Sequence, residues 1–168
     1  MIDFVQFSKR AHAASLLTQA ALNPDADTRR LDAIVKAAAG AANAASSCLS
    51  LMTDTAVTVS VHGKATAITA PGVRSPFADT ICYKALYDNI SLAISDAAKD
   101  PRIASTPAVA SGHVRCYLGA ALRTTDGDMV GILCAVDDRP RLWSAEQQEA
   151  VTRLAEDAMA ELTALRGL

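Results

Sequence analysis

The chain has 168 residues and a net charge of −2, with 16 Lys and Arg against 18 Asp and Glu. That length suits one domain (1–168) with a full core, and the lack of a basic block argues against binding nucleic acid by phosphate neutralisation. No apolar run approaches the ~18 residues of a membrane span, and the opening MIDFVQFSKR has Asp3 ahead of its basic residues, unlike a signal peptide, so a cytoplasmic protein is expected.

The first helix is predicted from Asp3 to Leu22, because Phe4, Phe7, Ala11, Ala14, Leu17 and Ala21 recur every three or four residues. Asp3 is its candidate cap. Asn23-Pro24-Asp25 ends it. A second helix runs from Asp27 or Thr28 to about Ala45, with Leu31, Ile34, Val35, Ala38, Ala42 and Ala45 on one stripe and Gly40 as a place for close packing. The pairs Lys9-Arg10 and Arg29-Arg30, with Arg139 and Arg141, read as solvated surface. Residues 1–46 thus form an N-terminal helical part.

Residues 47–142 read as sheet and loops. Ser47–Thr53 and Ala56–His62 form a hairpin, Lys64–Ala70 extends it or is loop, and Pro71–Pro76 is irregular. A short helix covers Asp79–Tyr87 and a strand Ile90–Ile94. Residues 97–112 are a long connection with Pro101 and Pro107, the kind of segment that often carries binding residues. Two long strands then flank Thr125-Asp126-Gly127-Asp128, where Asp-Gly suits a two-residue loop. That loop sets Gly119 opposite Cys134. It puts Tyr117, Gly119, Ala121, Val130, Ile132, Cys134 and Val136 on one face, and Cys116, Leu118, Ala120, Leu122, Met129, Leu133 and Ala135 on the other. Neither face is polar, so both sides of the sheet should be covered. Residues 143–168 hold the last helix, capped by Ser144 with Gln147 in the capping-box position, and striped by Val151, Leu154, Ala155, Ala158, Met159, Leu162 and Leu165. Hairpin connections make the sheet largely antiparallel, in an α/β sandwich.

From Ser75 to Leu165 the chain resembles the GAF domain family of small-molecule sensor modules in bacterial signalling proteins. The resemblance rests on Asp79-Thr80-Ile81-Cys82, on Asp96 with Asp100-Pro101-Arg102, on Cys116-Tyr117-Leu118-Gly119-Ala120-Ala121-Leu122-Arg123, and on Asp126-Gly127 followed by Gly131-Ile132-Leu133-Cys134 and Val136-Asp137. The family pattern has phenylalanine at Cys116, proline at Ala121 and an aromatic residue at Ile103. The resemblance implies a GAF-like (profilin-like) three-layer sandwich. A central antiparallel sheet of about six strands carries the terminal helices on one face, and loops and short helices enclose a pocket on the other. It also implies a homodimer through the first and last helices, acting on a signalling partner.

The candidate ligand residues that follow are Cys82, Asp96, Arg102, His113, Tyr117 and Cys134. Arg102 is placed to clamp an anion and Asp96 to orient the ligand; the competing reading has Asp96 capping a turn and Arg102 paired with Asp79 or Asp100. Cys82 opens the short helix over the pocket, either as a reactive thiol or as a buried small hydrophobe. Tyr117 either offers its hydroxyl to the pocket or is a core tyrosine. His113 is the one histidine near the pocket, and in some family members a histidine holds haem; the cofactor is left open. Attachment of a bilin, which in the family pairs cysteine with histidine, is disfavoured by Tyr83 after Cys82. His12, His62 and His113 form no metal motif.

The four cysteines, Cys48, Cys82, Cys116 and Cys134, are scattered and read by default as buried thiols. Cys116 and Cys134 fall on opposite faces, which forbids a disulfide between them and disfavours a thiol switch. The leading reading is a non-catalytic sensor. One alternative is a thiol-dependent reductase of free methionine sulfoxide, as some family members are, weakened because Cys116 and Cys134 cannot both face Cys82. The other is a dimerisation module whose pocket is filled by side chains.

Overall fold

The computed structural model describes residues 4–167; the expected cap Asp3 lies outside them. Helices α1 (Phe4–Ala21), α2 (Arg29–Ala42) and α5 (Ala145–Leu165) form one layer. Strands β1 (Ser46–Met52), β2 (Ala56–Gly63), β3 (Arg74–Ser75), β4 (Leu92–Ile94), β5 (Cys116–Arg123) and β6 (Met129–Asp137) form one sheet in the order β3-β2-β1-β6-β5-β4. Every neighbouring pair is antiparallel. The short helices α3 (Cys82–Asp88) and α4 (Pro107–Ala110), with three single 3₁₀ turns, make the third layer. The expected three-layer sandwich is therefore present, and residues 71–76, expected to be irregular, supply the edge strand β3.

Two cores result, one on each face of the sheet. The helix-side core joins Leu17, Leu31, Val35, Val151, Ala155 and Leu162 to Leu49, Leu118, Leu122 and Leu133 of the sheet. The opposite core joins Ile81, Leu86, Ile103 and Val109 to Tyr117, Met129, Ile132 and Cys134. A sheet covered on both sides needs apolar residues at successive strand positions, as the central hairpin has.

The central register is Gly119 opposite Cys134, as expected, but the turn is not a two-residue loop. Residues 124–128 form it: the Gly127 amide donates to the Thr124 carbonyl, the Thr124 amide donates to the Asp128 carbonyl, and Gly127 takes a φ of +87°. The ladder steps from Leu122↔Gly131 to Arg123↔Met129, leaving Val130 as the extra residue of a bulge. That bulge exchanges two side chains relative to the expected alternation. Val130 packs with the helices and Met129 with the opposite core.

Two arginines read as surface are structural. Arg10 is 2 % exposed and donates to the main-chain carbonyls of Met52 and Thr53 at the end of β1. Phe4, the first residue of the expected apolar stripe, is exposed, and burial on α1 begins at Arg10. Arg141 donates to the carbonyls of Ala42 and Asn43 at the end of α2, where helical carbonyls lack partners, and lies 4.7 Å over the Trp143 ring. Gly40, expected at a close helix contact, faces open space. The α5 capping box is formed, with Ser144 Oγ accepting from the Gln147 amide and Gln147 Oε1 from the Ser144 amide.

Candidate functional site

The sheet face opposite the helices floors a cavity of about 510 Å³. Its floor comes from β1, β2, β5 and β6, through Cys48, Ser50, Thr58, Tyr117, Cys134 and Val136. Its walls come from the chain around Ser75–Cys82 and from α4 with the loop to His113. Volume of this order suits a small ligand, and it runs against the reading in which side chains fill the pocket.

Alternation puts the floor together. Cys48 and Ser50 are two apart on β1, and Tyr117 and Gly119 two apart on β5, so each pair shares a face. Cys48 lies directly opposite Cys134 across the β1–β6 ladder, and Cys134 opposite Gly119 across β5–β6. Gly119 is glycine for a steric reason: a Cβ there would fall 2.6 Å from Cε1 of Tyr117. The ring lies flat over the glycine and sends its hydroxyl to within 3.4 Å of Cys82 Sγ.

Three thiols therefore line the cavity, Cys48 and Cys134 on its floor and Cys82 in its wall. Cys48 and Cys82 are partly exposed and Cys134 is buried. The Cys134 S–H is the largest influence lowering both the Cys48 and the Cys82 thiol pKa, and Cys134 is itself raised well above the usual range by these two neighbours and by burial. Burial, followed by the Cys82 charge, raises the Tyr117 phenol. Cys116 lies in the helix-side core, where burial pushes its thiol up to about 11. Cys116 and Cys134 do face opposite ways, as expected. The thiol the sequence reading set aside was Cys48, whose nearness to Cys134 depends on pairing between strands more than eighty residues apart in the chain. Among the described residues, no group of three or more His, Cys, Asp or Glu is placed to hold a metal ion.

Of the six candidates, Cys82, His113, Tyr117 and Cys134 line the cavity. Asp96 and Arg102 do not; they lie together on a separate shallow groove. Arg102 makes a two-pronged bond to Asp100, 2.6 Å from Nη2 to Oδ2, so its fork is already occupied. Asp96 binds Arg115 at 3.1 Å and Lys99 at 3.6 Å. Burial alone would raise the Asp96 pKa, but those cations together hold it low. Both residues serve the local fold of the 96–102 turn.

His113 stands exposed on the cavity wall, with Nδ1 2.6 Å from Ser111 Oγ. The lining does not fit a haem: this histidine is out in solvent, and among the described residues no Lys or Arg lines the cavity to meet two propionates. Among the described residues, the charged or titratable lining beyond the thiols and Tyr117 is limited to Asp79 and His113. Hydroxyls supply the other polar groups, among them Ser50, Thr58, Thr69 and Ser75, with Thr58 and Thr69 2.7 Å apart.

The GAF domain model matches residues 28–162. A stretch of 95 residues is 34% identical to a cyclic di-GMP phosphodiesterase of Pseudomonas aeruginosa, spanning 55% of this chain but only 16% of that protein. Among solved structures, the GAF domain of an Acinetobacter phosphoenolpyruvate-protein phosphotransferase superposes with a TM-score of 0.71 at 14% identity, covering 94% of each chain. A free methionine-R-sulfoxide reductase of Neisseria meningitidis, solved with its substrate, gives 0.65 at 17% identity, covering 95% of this chain and 93% of that one. At such identities the two structures establish a shared fold.

Proposed function

The chain belongs to the GAF domain family, and from that premise we propose that it is a non-catalytic regulatory module that binds a small molecule in the cavity beside the sheet. The observation that carries this reading is the cavity itself: about 510 Å³, largely apolar, with converging hydroxyls. Among the described residues no Lys or Arg lines it, which points away from an anionic ligand, because a buried anion without a cationic partner is costly. A ligand that prefers one arrangement of the walls would shift the populations of the two arrangements. The readout then passes through α1 and α5 to a second copy of the chain and onward to a signalling partner. The exposed Phe4 and Val5 at the start of α1 support a helix-mediated contact.

The test is thermal unfolding against size-matched uncharged and anionic small molecules. The reading expects selective stabilisation by uncharged compounds, about 2.7 kcal/mol at a hundredfold excess over Kd. Stabilisation by anions alone would sink it.

A second reading, a thiol-dependent reductase of a small sulfoxide, is favoured by one observation, that Cys48, Cys82 and Cys134 all line the one cavity. It requires methionine-sulfoxide-dependent thiol oxidation that Cys82→Ser abolishes.

A further inference from the structure

We propose that a second, polar cavity, between α1, the end of α3 and the β5–β6 turn, is a binding site for a small primary carboxamide. Its occupancy is independent of what fills the larger cavity.

The space is about 200 Å³, enough for a few heavy atoms and below the ~300–1,000 Å³ of drug-sized sites. Arg10, Asp88, Asn89 and Asp128 are among its lining residues. Arg10 is 2 % exposed, and its two terminal nitrogens donate to the Met52 and Thr53 carbonyls. The third nitrogen, Nε, is buried with no hydrogen-bond partner among the described residues. A buried donor left unpaired is costly, so an acceptor placed in this cavity is held there. Asn89 adds a second donor. It ends α3 in the left-handed conformation, and its Oδ1 accepts from Arg123 Nη1 at 2.8 Å, which leaves the amide nitrogen to donate.

The charges decide what the acceptor belongs to. Asp88 and Asp128 line the same small space as Arg10. A carboxylate or phosphate would set an anion beside two carboxylates, and an ammonium would meet the guanidinium; like charges are disfavoured in both cases. A neutral group with an acceptor and a donor on one carbon suits both sides. In a primary carboxamide the C=O accepts from Arg10 Nε and Asn89, and the NH₂ donates to Asp88 or Asp128. A carboxylate accepts several hydrogen bonds, so Asp128 keeps capacity beside Gln6 at 3.5 Å and Lys9 at 3.8 Å.

An amide bound here would join α1 to the last turn of α3. The first turn of that helix bears Cys82, in the wall of the larger cavity.

The experiment is an NMR titration of the isotope-labelled full chain with propanamide, propionate and propylammonium, probes of nearly one shape, followed at the Arg10 Nε–Hε resonance. The expected result is a saturable shift with propanamide, at an affinity at least about tenfold above either ion, as befits hydrogen bonds to charged groups. Arg10→Lys keeps the charge but removes Nε, and should abolish the binding. Asn89→Gly keeps the left-handed backbone but removes the second donor, and should weaken it several-fold. Asp88→Asn combined with Asp128→Asn should raise the affinity for propionate above wild type. Where Arg10→Lys fails to fold, as circular dichroism shows, the other two variants carry the test. No saturable shift with propanamide, which would mean a cavity that holds water alone, would overturn the proposal. So would equal or tighter binding of either ion, or an affinity for propanamide unchanged in Asn89→Gly.

Discussion

Gly119→Ala tests how the cavity floor is built. The new Cβ would lie 2.6 Å from Cε1, 2.8 Å from the hydroxyl oxygen and 3.0 Å from Cζ of Tyr117. Carbon atoms settle at about 3.5–4.0 Å, so the ring must retreat by about 1 Å. It has little room, because Tyr117 is 1 % exposed and Cys82 Sγ stands 3.4 Å beyond its hydroxyl. Overpacking of this kind costs about 1–3 kcal/mol, and at this chain length that lowers Tm by about 2–12 °C. Urea denaturation gives the energy directly. Tyr117→Leu removes the ring, so Gly119→Ala should cost little more on that background, with a coupling of about 1 kcal/mol or larger. A second readout is the alkylation rate of Cys82, which should change in Gly119→Ala as the hydroxyl is displaced. Gly119→Ala within about 0.5 kcal/mol of wild type, additive with Tyr117→Leu and with Cys82 unchanged, would refute the packing argument.

Other outcomes follow from the same structure. Gly40→Ala, at a helical position with nothing within 4 Å of the new Cβ, should stabilise by about 0.4–1 kcal/mol in the same denaturation assay; destabilisation would mean that the site is occupied. Asp100 is held low chiefly by its hydrogen bonds to Arg102. A depressed folded pKa gives stability that is complete above the unfolded value of about 3.9 and is lost as the pH falls through the folded one. Asp100→Asn should therefore flatten the acid limb of the stability–pH curve below about pH 4, and an unchanged limb would contradict the pairing. Cys116, pushed up to about 11 by burial, should resist alkylation in the native chain at pH 8 while Cys82 reacts, as mass mapping would reveal.

What could be read from the sequence is what local chemistry dictates. The α5 capping box, the two hairpins and the two-sided burial of β5 and β6 each follow from residues within a few positions of one another. The resemblance added the sheet's partner layers. Distant pairing was not legible. Cys48 joins the cavity because β1 lies beside β6, and no spacing within β1 announces that neighbour. The exchange of Met129 and Val130 comes from a bulge, which strict alternation cannot anticipate. Arg10 and Arg141 look like surface residues until the ends of β1 and α2 are seen to need donors. Arg102 was placed at the site by motif position, but Asp100, two residues earlier, takes its fork.

Native mass spectrometry of the full chain, after incubation with a low-molecular-weight metabolite extract, tests the central claim most directly. Ala108→Trp, which places an indole in the cavity wall, is the control. The account predicts a non-covalent small-molecule adduct on the wild type that unfolding releases and Ala108→Trp abolishes. Bare protein from every extract, or an adduct equally present on Ala108→Trp, would contradict a ligand seated in this cavity.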